Sequence, residues 1–331
     1  MSVWWRVASW PLERVNAAAY RLFAAGIREP ERAGAPVISV GNIAVGGTGK
    51  TPMVAAIARA LCAAGHRPAI LSRGYRRAEK RPVTSPPGQR PDWREVGDEP
   101  ALLARLVPGA ALSIDPDRTA GARRAVSELG ATVLVLDDGF QHWRLARDLD
   151  VVVVDGRDPL CLNGPRREHP AALARVGAVV VMGGAFEQAS ATLRRWTPNA
   201  PLLGAAVVPT AVHVSGQSEP VSALAGRRVL AAAGIAAPGR FFRTLETLGA
   251  EVVGTRKYPD HHRLDAAEVA VLVRAAESRG ALPVVTAKDA IKLPPESLQA
   301  VAWLEVEARI VTGDLGHLIG QASGRPGAAI P

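Results

Sequence analysis

The chain has 331 residues, 48% hydrophobic and 21% charged, which suits a globular α/β protein of one large or two ordinary domains and excludes a disordered or fibrous class. Two cysteines, Cys62 and Cys161, exclude a disulfide scaffold, fit a reducing compartment and have no metal-ligand spacing. The net charge of +9, carried almost entirely by arginine, suits phosphate-bearing partners. Because the arginines are dispersed, without aromatic interleaving, nucleic acid is not singled out.

The first thirty residues place Trp4, Trp5 and Trp10 among Arg6, Arg14, Arg21 and Arg28. Such a mixture suits an amphipathic helix lying in a membrane surface. It equally suits a helix packed on the core and broken near Pro11. No apolar run approaches the roughly twenty residues of a membrane span, and no signal-peptide pattern is expected.

The apolar run Val37–Val40 leads into Gly41-Asn42-Ile43-Ala44-Val45-Gly46-Gly47-Thr48-Gly49-Lys50-Thr51, and residues 53–61 have helical spacing. Strand, glycine loop, lysine and helix form an arrangement that cradles nucleotide phosphates with backbone N–H groups and a lysine charge. Residues Ala44 through Thr51 are therefore candidate nucleotide-binding positions, with Thr51 also a candidate Mg²⁺ ligand. One irregularity stands out: the pattern G-x-x-x-x-G-K-[ST] asks for glycine where this chain has Ala44. The plain alternative is a glycine-rich turn with a chance lysine.

Pro68–Ser72 reads as a strand ending in the basic loop Arg73-Gly74-Tyr75, at the strand end where α/β sheets bind ligands. Residues 78–96 look like a flexible excursion. Asp98, before the helical residues 101–106, is placed either to cap that helix or to act as a base. Strands are expected at 110–114 and 132–136, with a helix between them after Arg118 and running to about Leu129. The second strand ends in Asp137-Asp138-Gly139-Phe140-Gln141-His142, the pattern of a Mg²⁺-positioning partner to a phosphate loop. Val151–Asp155 is a competing strand-plus-aspartate; the carboxylate pair is preferred for its polar surroundings.

A further strand is expected at 178–182, and the polar run 213–220 marks a domain boundary. A second strand–helix series follows: strand residues 229–235, a helix to Leu248, a strand from Glu251, a helix over 265–278 and a strand at 282–286. Its loop Pro259-Asp260-His261-His262 offers a catalytic histidine rather than a metal site, because adjacent side chains diverge. Continuous apolar strands alternating with helices indicate a mostly parallel sheet covered on both faces.

Taken together, the strings at 40–52, Ser72-Arg73-Gly74-Tyr75, Val96-Gly97-Asp98-Glu99-Pro100, Asp117-Arg118, 137–142, Gly164-Pro165…Arg167-Glu168, 259–262 and Thr286…Lys288-Asp289 resemble the tetraacyldisaccharide 4'-kinase family of lipid A biosynthesis. Ala44 is then a family trait. Arg166, where an apolar residue is usual, and Ala287, where glutamate is common, depart from the pattern.

The resemblance implies two α/β/α sandwich domains joined by a short β linker, divided here as a surface helix over 1–30, a P-loop domain over 31–215 and a smaller domain over 216–331. It implies ATP- and Mg²⁺-dependent phosphorylation of the 4'-hydroxyl of a lipid A disaccharide precursor. It also implies a peripheral position on the cytoplasmic face of the inner membrane of a Gram-negative type cell, with no obligate protein partner. Asp98, His261 and Lys50 are the implied catalytic set, and Thr51, Asp137 and Asp138 the metal set. Ser72, Arg73, Tyr75, Arg118, Gln141, His142, Arg167 and Glu168 are the implied substrate set. The alternative is a P-loop ATPase switch of the partitioning or metallochaperone type; Val45 stands where such proteins often carry a second lysine, and metal-binding tracts are missing.

Overall fold

The computed structural model describes residues 3–75, 77 and 79–324. The chain forms two compact units, one of residues 1–207 and 308–331 and one of residues 208–307. The chain enters the second unit within strand β8 (Leu202–Val214) and returns within β13 (Ala302–Thr312).

In the first unit, helix α1 (Val3–Ala24) precedes β1 (Val37–Gly41), α2 (Lys50–Ala63), β2 (Pro68–Ser72) and β3 (Val83–Ser85). Next come α3 (Trp93–Val96), α4 (Asp98–Leu106), β4 (Ala111–Ile114), α5 (Arg118–Ser127) and β5 (Val133–Asp137). Strands β6 (Leu149–Asp155) and β7 (Ala178–Met182) and helix α6 (Phe186–Leu193) lead to β8. The strand order is β8-β7-β6-β1-β5-β2-β4-β3, parallel except for β3.

Strands β1, β2, β4, β5 and β7 are buried at every position, so alternate side chains feed cores on both faces. On one face Val37, Ala69, Leu71, Leu134 and Leu136 pack with Ala122 and Ala125 of α5. Helix α2 lies against β1, β2 and β5. With β1 between β5 and β6, Val40 sits level with Asp137 and Val151. The phosphate-loop turn and the aspartate turn therefore leave the sheet side by side at strand carboxyl ends.

The second unit contains the β8–β9 hairpin (β9, Gln217–Glu219), β10 (Arg228–Ala233), α7 (Pro238–Thr247), β11 (Glu251–Lys257) and α8 (Ala266–Glu277). It continues through β12 (Leu282–Thr286), α9 (Ala287–Ala290) and α10 (Pro295–Gln299) to β13, which leads into α11 (Leu315–Ser323). Its parallel order is β11-β10-β12-β13. Asp265 and Glu268 cap α8 reciprocally.

The α/β class and mostly parallel sheet agree with the sequence reading; several details differ. The polar run 213–220 is the tip of a hairpin, with Ser215 at φ 48 and Gly216 at φ 79, because β8 carries straight through the expected boundary. Residues from 308 onward belong to the first unit, where α11 packs on α2 and β1 with Leu315 and Ile319 buried. The excursion 78–96 holds β3 and α3, although Ala78 lies outside the described residues. Helix α1 runs through Pro11 as one element, without the expected break.

Candidate active site

Gly46 at φ 118 and Gly49 at φ 91 supply the left-handed turns of the phosphate loop. The irregular Ala44 needs no such freedom. It forms an antiparallel bridge with Arg166, and neighbouring Val45 donates its N–H to Pro165 O at 2.8 Å. The Val45 N–H is thereby taken by protein backbone. Buried Asn42 braces the turn by donating from Nδ2 to Thr48 Oγ1 at 3.1 Å and Gly46 O at 3.4 Å.

Where β1 ends, a Cβ on Gly41 would stand 2.5 Å from Phe140 Cβ and 2.7 Å from Phe140 N. The two turns approach each other too closely for any side chain there. Gly41→Ala is expected to destabilise the fold by about 1–3 kcal/mol through overpacking, measured by equilibrium denaturation.

Lys50, first residue of α2, lies back over the loop, its Nζ 3.4 Å from Gly46 O and 3.5 Å from Asp138 Oδ1. Asp138, at φ 53, also accepts from Arg167 Nη1 at 2.6 Å. Burial pushes the Asp138 carboxyl up, but Lys50 and Arg167 outweigh burial and hold it below its usual range. Its neighbour Asp137 behaves oppositely. Burial, then the nearby Glu99 and Asp138 charges, push Asp137 up to about 7 against Lys50 and the Ser72 hydroxyl, which donates at 3.2 Å. Two adjacent carboxylates thus differ sharply in charge preference, the separation expected where acid–base or cation-binding roles are divided. The buried, proton-raised Asp137 is the oxygen donor with most to gain from a cation.

Asp98 lies 7% exposed in the first turn of α4 and accepts the Glu99 N–H at 2.9 Å. Gly97, not Asp98, is the N-cap, so the capping reading is replaced by a carboxylate just inside the helix start. Glu99, quoted in the sequence only as part of a motif, proves close enough to Asp137 to perturb it. Finding it required knowing that α4 starts beside the end of β5.

Two arginines meet near this pair. Burial and then Arg73 lower the pKa of Arg118, while Asp138, Asp137 and Asp117 raise it. Buried Arg118 Nε has no hydrogen-bond partner. Arg73 and Tyr75 are exposed at the end of β2, and Arg76 lies outside the described residues.

Gln141 and Glu168 are braces by geometry. Gln141 Nε2 donates to Asn42 O at 3.0 Å and Glu168 Oε1 at 2.8 Å, and buried Glu168 also receives Arg175. Burial, then the Arg118, Arg147 and Arg144 charges, lower the His142 pKa to about 4. A base so depressed contributes stability that is present above its ordinary value of 6.5 and lost as pH falls toward 4. Thermal unfolding should therefore show less acid sensitivity in His142→Gln than in the parent chain across that window.

Asp155, the competing aspartate, accepts the Arg157 N–H at 3.2 Å and lines a cavity of about 180 Å³ alongside residues 43–48. Among the described residues, no three His, Cys, Asp or Glu side chains form a metal-holding group.

In the second unit, His261 stands at φ 65 with its N–H 3.2 Å from Gly234 O. Its Nε2 lies 3.3 Å from Lys288 Nζ and 3.6 Å from Asp260 Oδ2. His262 is turned elsewhere, bonded to Glu268 and stacked on Tyr258. Beneath the loop, buried Asp289 accepts from Gly234 N–H, Thr286 Oγ and Lys292 Nζ. The motif is therefore fully tied in place with Ala287 at the position of the commoner glutamate.

A family model described as tetraacyldisaccharide-1-P 4'-kinase matches residues 1–322. A tetraacyldisaccharide 4'-kinase of Anaeromyxobacter dehalogenans (strain 2CP-C) is 44% identical over 94% of this chain and 92% of its own. One from Syntrophus aciditrophicus (strain SB) is 42% identical over 83% and 80%. The crystal structure of LpxK from Aquifex aeolicus in complex with ATP superposes with a TM-score of 0.75 at 29% identity, covering 95% of this chain and 97% of that one. The chain belongs to the tetraacyldisaccharide-1-P 4'-kinase family.

Proposed function

We infer that the chain transfers the γ-phosphoryl group of ATP to the 4'-hydroxyl of a tetraacyldisaccharide 1-phosphate, the lipid A precursor. The observation that carries this reading is Lys50 Nζ at 3.5 Å from Asp138, with Asp137 beside it, where the phosphate-loop turn meets the end of β5. The relatives' names supply the acceptor; the ATPase-switch alternative has no such support.

Backbone from Gly46 to Thr51 and the Lys50 ammonium hold the β- and γ-phosphates. Thr51 and Asp137 are the residues that would hold Mg²⁺, which when bound neutralises charge on the transferred group. Asp138 serves to fix Lys50 and Arg167 rather than to bind the cation directly. Arg73 and Arg118, repelling each other without an anion, gain from a phosphate between them. Asp98 takes the proton of the acceptor hydroxyl, and His261 is the second proposed catalytic group. Ser72, Gln141 and Glu168 act by positioning.

No helix among the described residues is long and apolar enough to cross a membrane. On α1, Trp10, Leu12 and Val15 are exposed apolar side chains, and Arg14 lies over the Trp10 ring; the side chains of Trp4 and Trp5 lie outside the described residues. These support a peripheral seat on the cytoplasmic face of the inner membrane. The test is transfer of labelled γ-phosphate from ATP to the disaccharide 1-phosphate in mixed micelles. ATP hydrolysis without labelled lipid would overturn the reading.

A further inference from the structure

Ser9, Glu13, Asn16 and Tyr20 recur along α1 at steps of four, three and four, which places them on one side of the helix. Each one meets the segment 166–175. Arg166 donates its N–H to Ser9 Oγ at 2.8 Å and its Nε to Glu13 Oε1 at 2.7 Å. The Glu13–Arg166 pair is nearly buried, its side chains 12% and 8% exposed. Asn16 Nδ2 donates to Arg167 O at 2.8 Å, and the Arg175 guanidinium lies 4.0 Å from the Tyr20 ring centre.

The same segment runs along the phosphate loop. It bridges Ala44 through Arg166 and donates the Arg167 N–H to Ile43 O at 2.7 Å, while Pro165 O, just before it, takes the Val45 N–H. From there Arg167 reaches Asp138. Arg166 is the departure for which the sequence suggested no partner; the structure supplies Glu13.

We propose that this polar face of α1 is a positioning element of the kinase site, setting Arg167 and the wall of the phosphate loop through the buried Glu13–Arg166 pair and Asn16. A buried ion pair is tolerated only with its partner in place, so the pair fixes one seat for the helix. A misplacement of about 1 Å at a phosphate-handling group is enough to slow transfer up to about a hundredfold. Trp10, Leu12 and Val15, exposed on α1, take no part in these contacts, so positioning and surface docking can be measured apart. The inference rests on the proposed function, in which Asp138 fixes Lys50 and Arg167 beside the phosphate loop.

The experiment compares Glu13→Gln, Asn16→Ala, Arg166→Gln and the double variant Glu13→Gln/Arg166→Gln with the parent chain. It measures kcat in mixed micelles at saturating substrates and partition onto vesicles of anionic and zwitterionic phospholipid. The expected result is a kcat lower by about tenfold in each single variant, no further loss in the double variant, and unchanged partition. Unchanged kcat in Glu13→Gln and Asn16→Ala overturns the proposal, as do additive losses or losses that track partition. Should a charge variant fail to fold, Asn16→Ala, which removes one hydrogen bond, decides. Arg167→Ala is the separate control: full activity there defeats the placement of Arg167, whereas a slow Arg167→Ala beside fast α1 variants defeats only the role given to α1.

Discussion

Lys50→Ala is expected to lower kcat for phosphoryl transfer by about 10²–10³-fold, the loss that follows removal of one preorganised electrostatic donor. The ammonium sits over the phosphate loop and beside Asp138, and its side chain is 14% exposed, so little water competes for its charge. In the transition state the transferred group spreads its charge over its oxygens, which Lys50 is proposed to face. Removing the ammonium also takes away the largest of the charges that offset the burial of Asp138. Lys50→Arg is expected to recover little, since a planar fork cannot occupy the position of a compact ammonium. The check is steady-state transfer with the lipid acceptor, alongside ATP binding measured by titration. Turnover near that of the parent chain would remove the loop from its assigned part.

Much of the first unit is legible in the sequence for one physical reason. Strands buried on both faces must be apolar throughout, so β1, β2, β5 and β7 stand out as short apolar runs between polar turns. Glycine at 46 and 49 announces the loop because only glycine takes those turns without strain. The same logic explains what was missed. In β13, Glu305 and Glu307 alternate with Leu304 and Val306, and nothing local says that the strand leads back to the first unit. Arg166 looks like a disturbance until Glu13, far off in the sequence, is brought beside it. Glu99 is an ordinary first-turn acid until the fold sets it near Asp137. Local pattern reveals which residues a strand or turn requires; it does not reveal partners brought together by long-range packing.

Asp98→Asn is expected to lower kcat by about 10²–10⁴-fold, the usual contribution of a general base, with the KM for ATP little changed. The substitution keeps the side-chain shape, and Asn can still accept the Glu99 N–H, so α4 should start as before. Gly97 at φ 98 fixes that start, and a Cβ there would stand 3.3 Å from Tyr75 O. His261→Ala should show a loss of the same kind, because its loop is held by Gly234 O and its ring is flanked by Asp260 and Lys288 rather than packed in a core. Normal turnover in Asp98→Asn would move the base elsewhere, and Glu99, whose charge reaches Asp137, would be the next residue to replace.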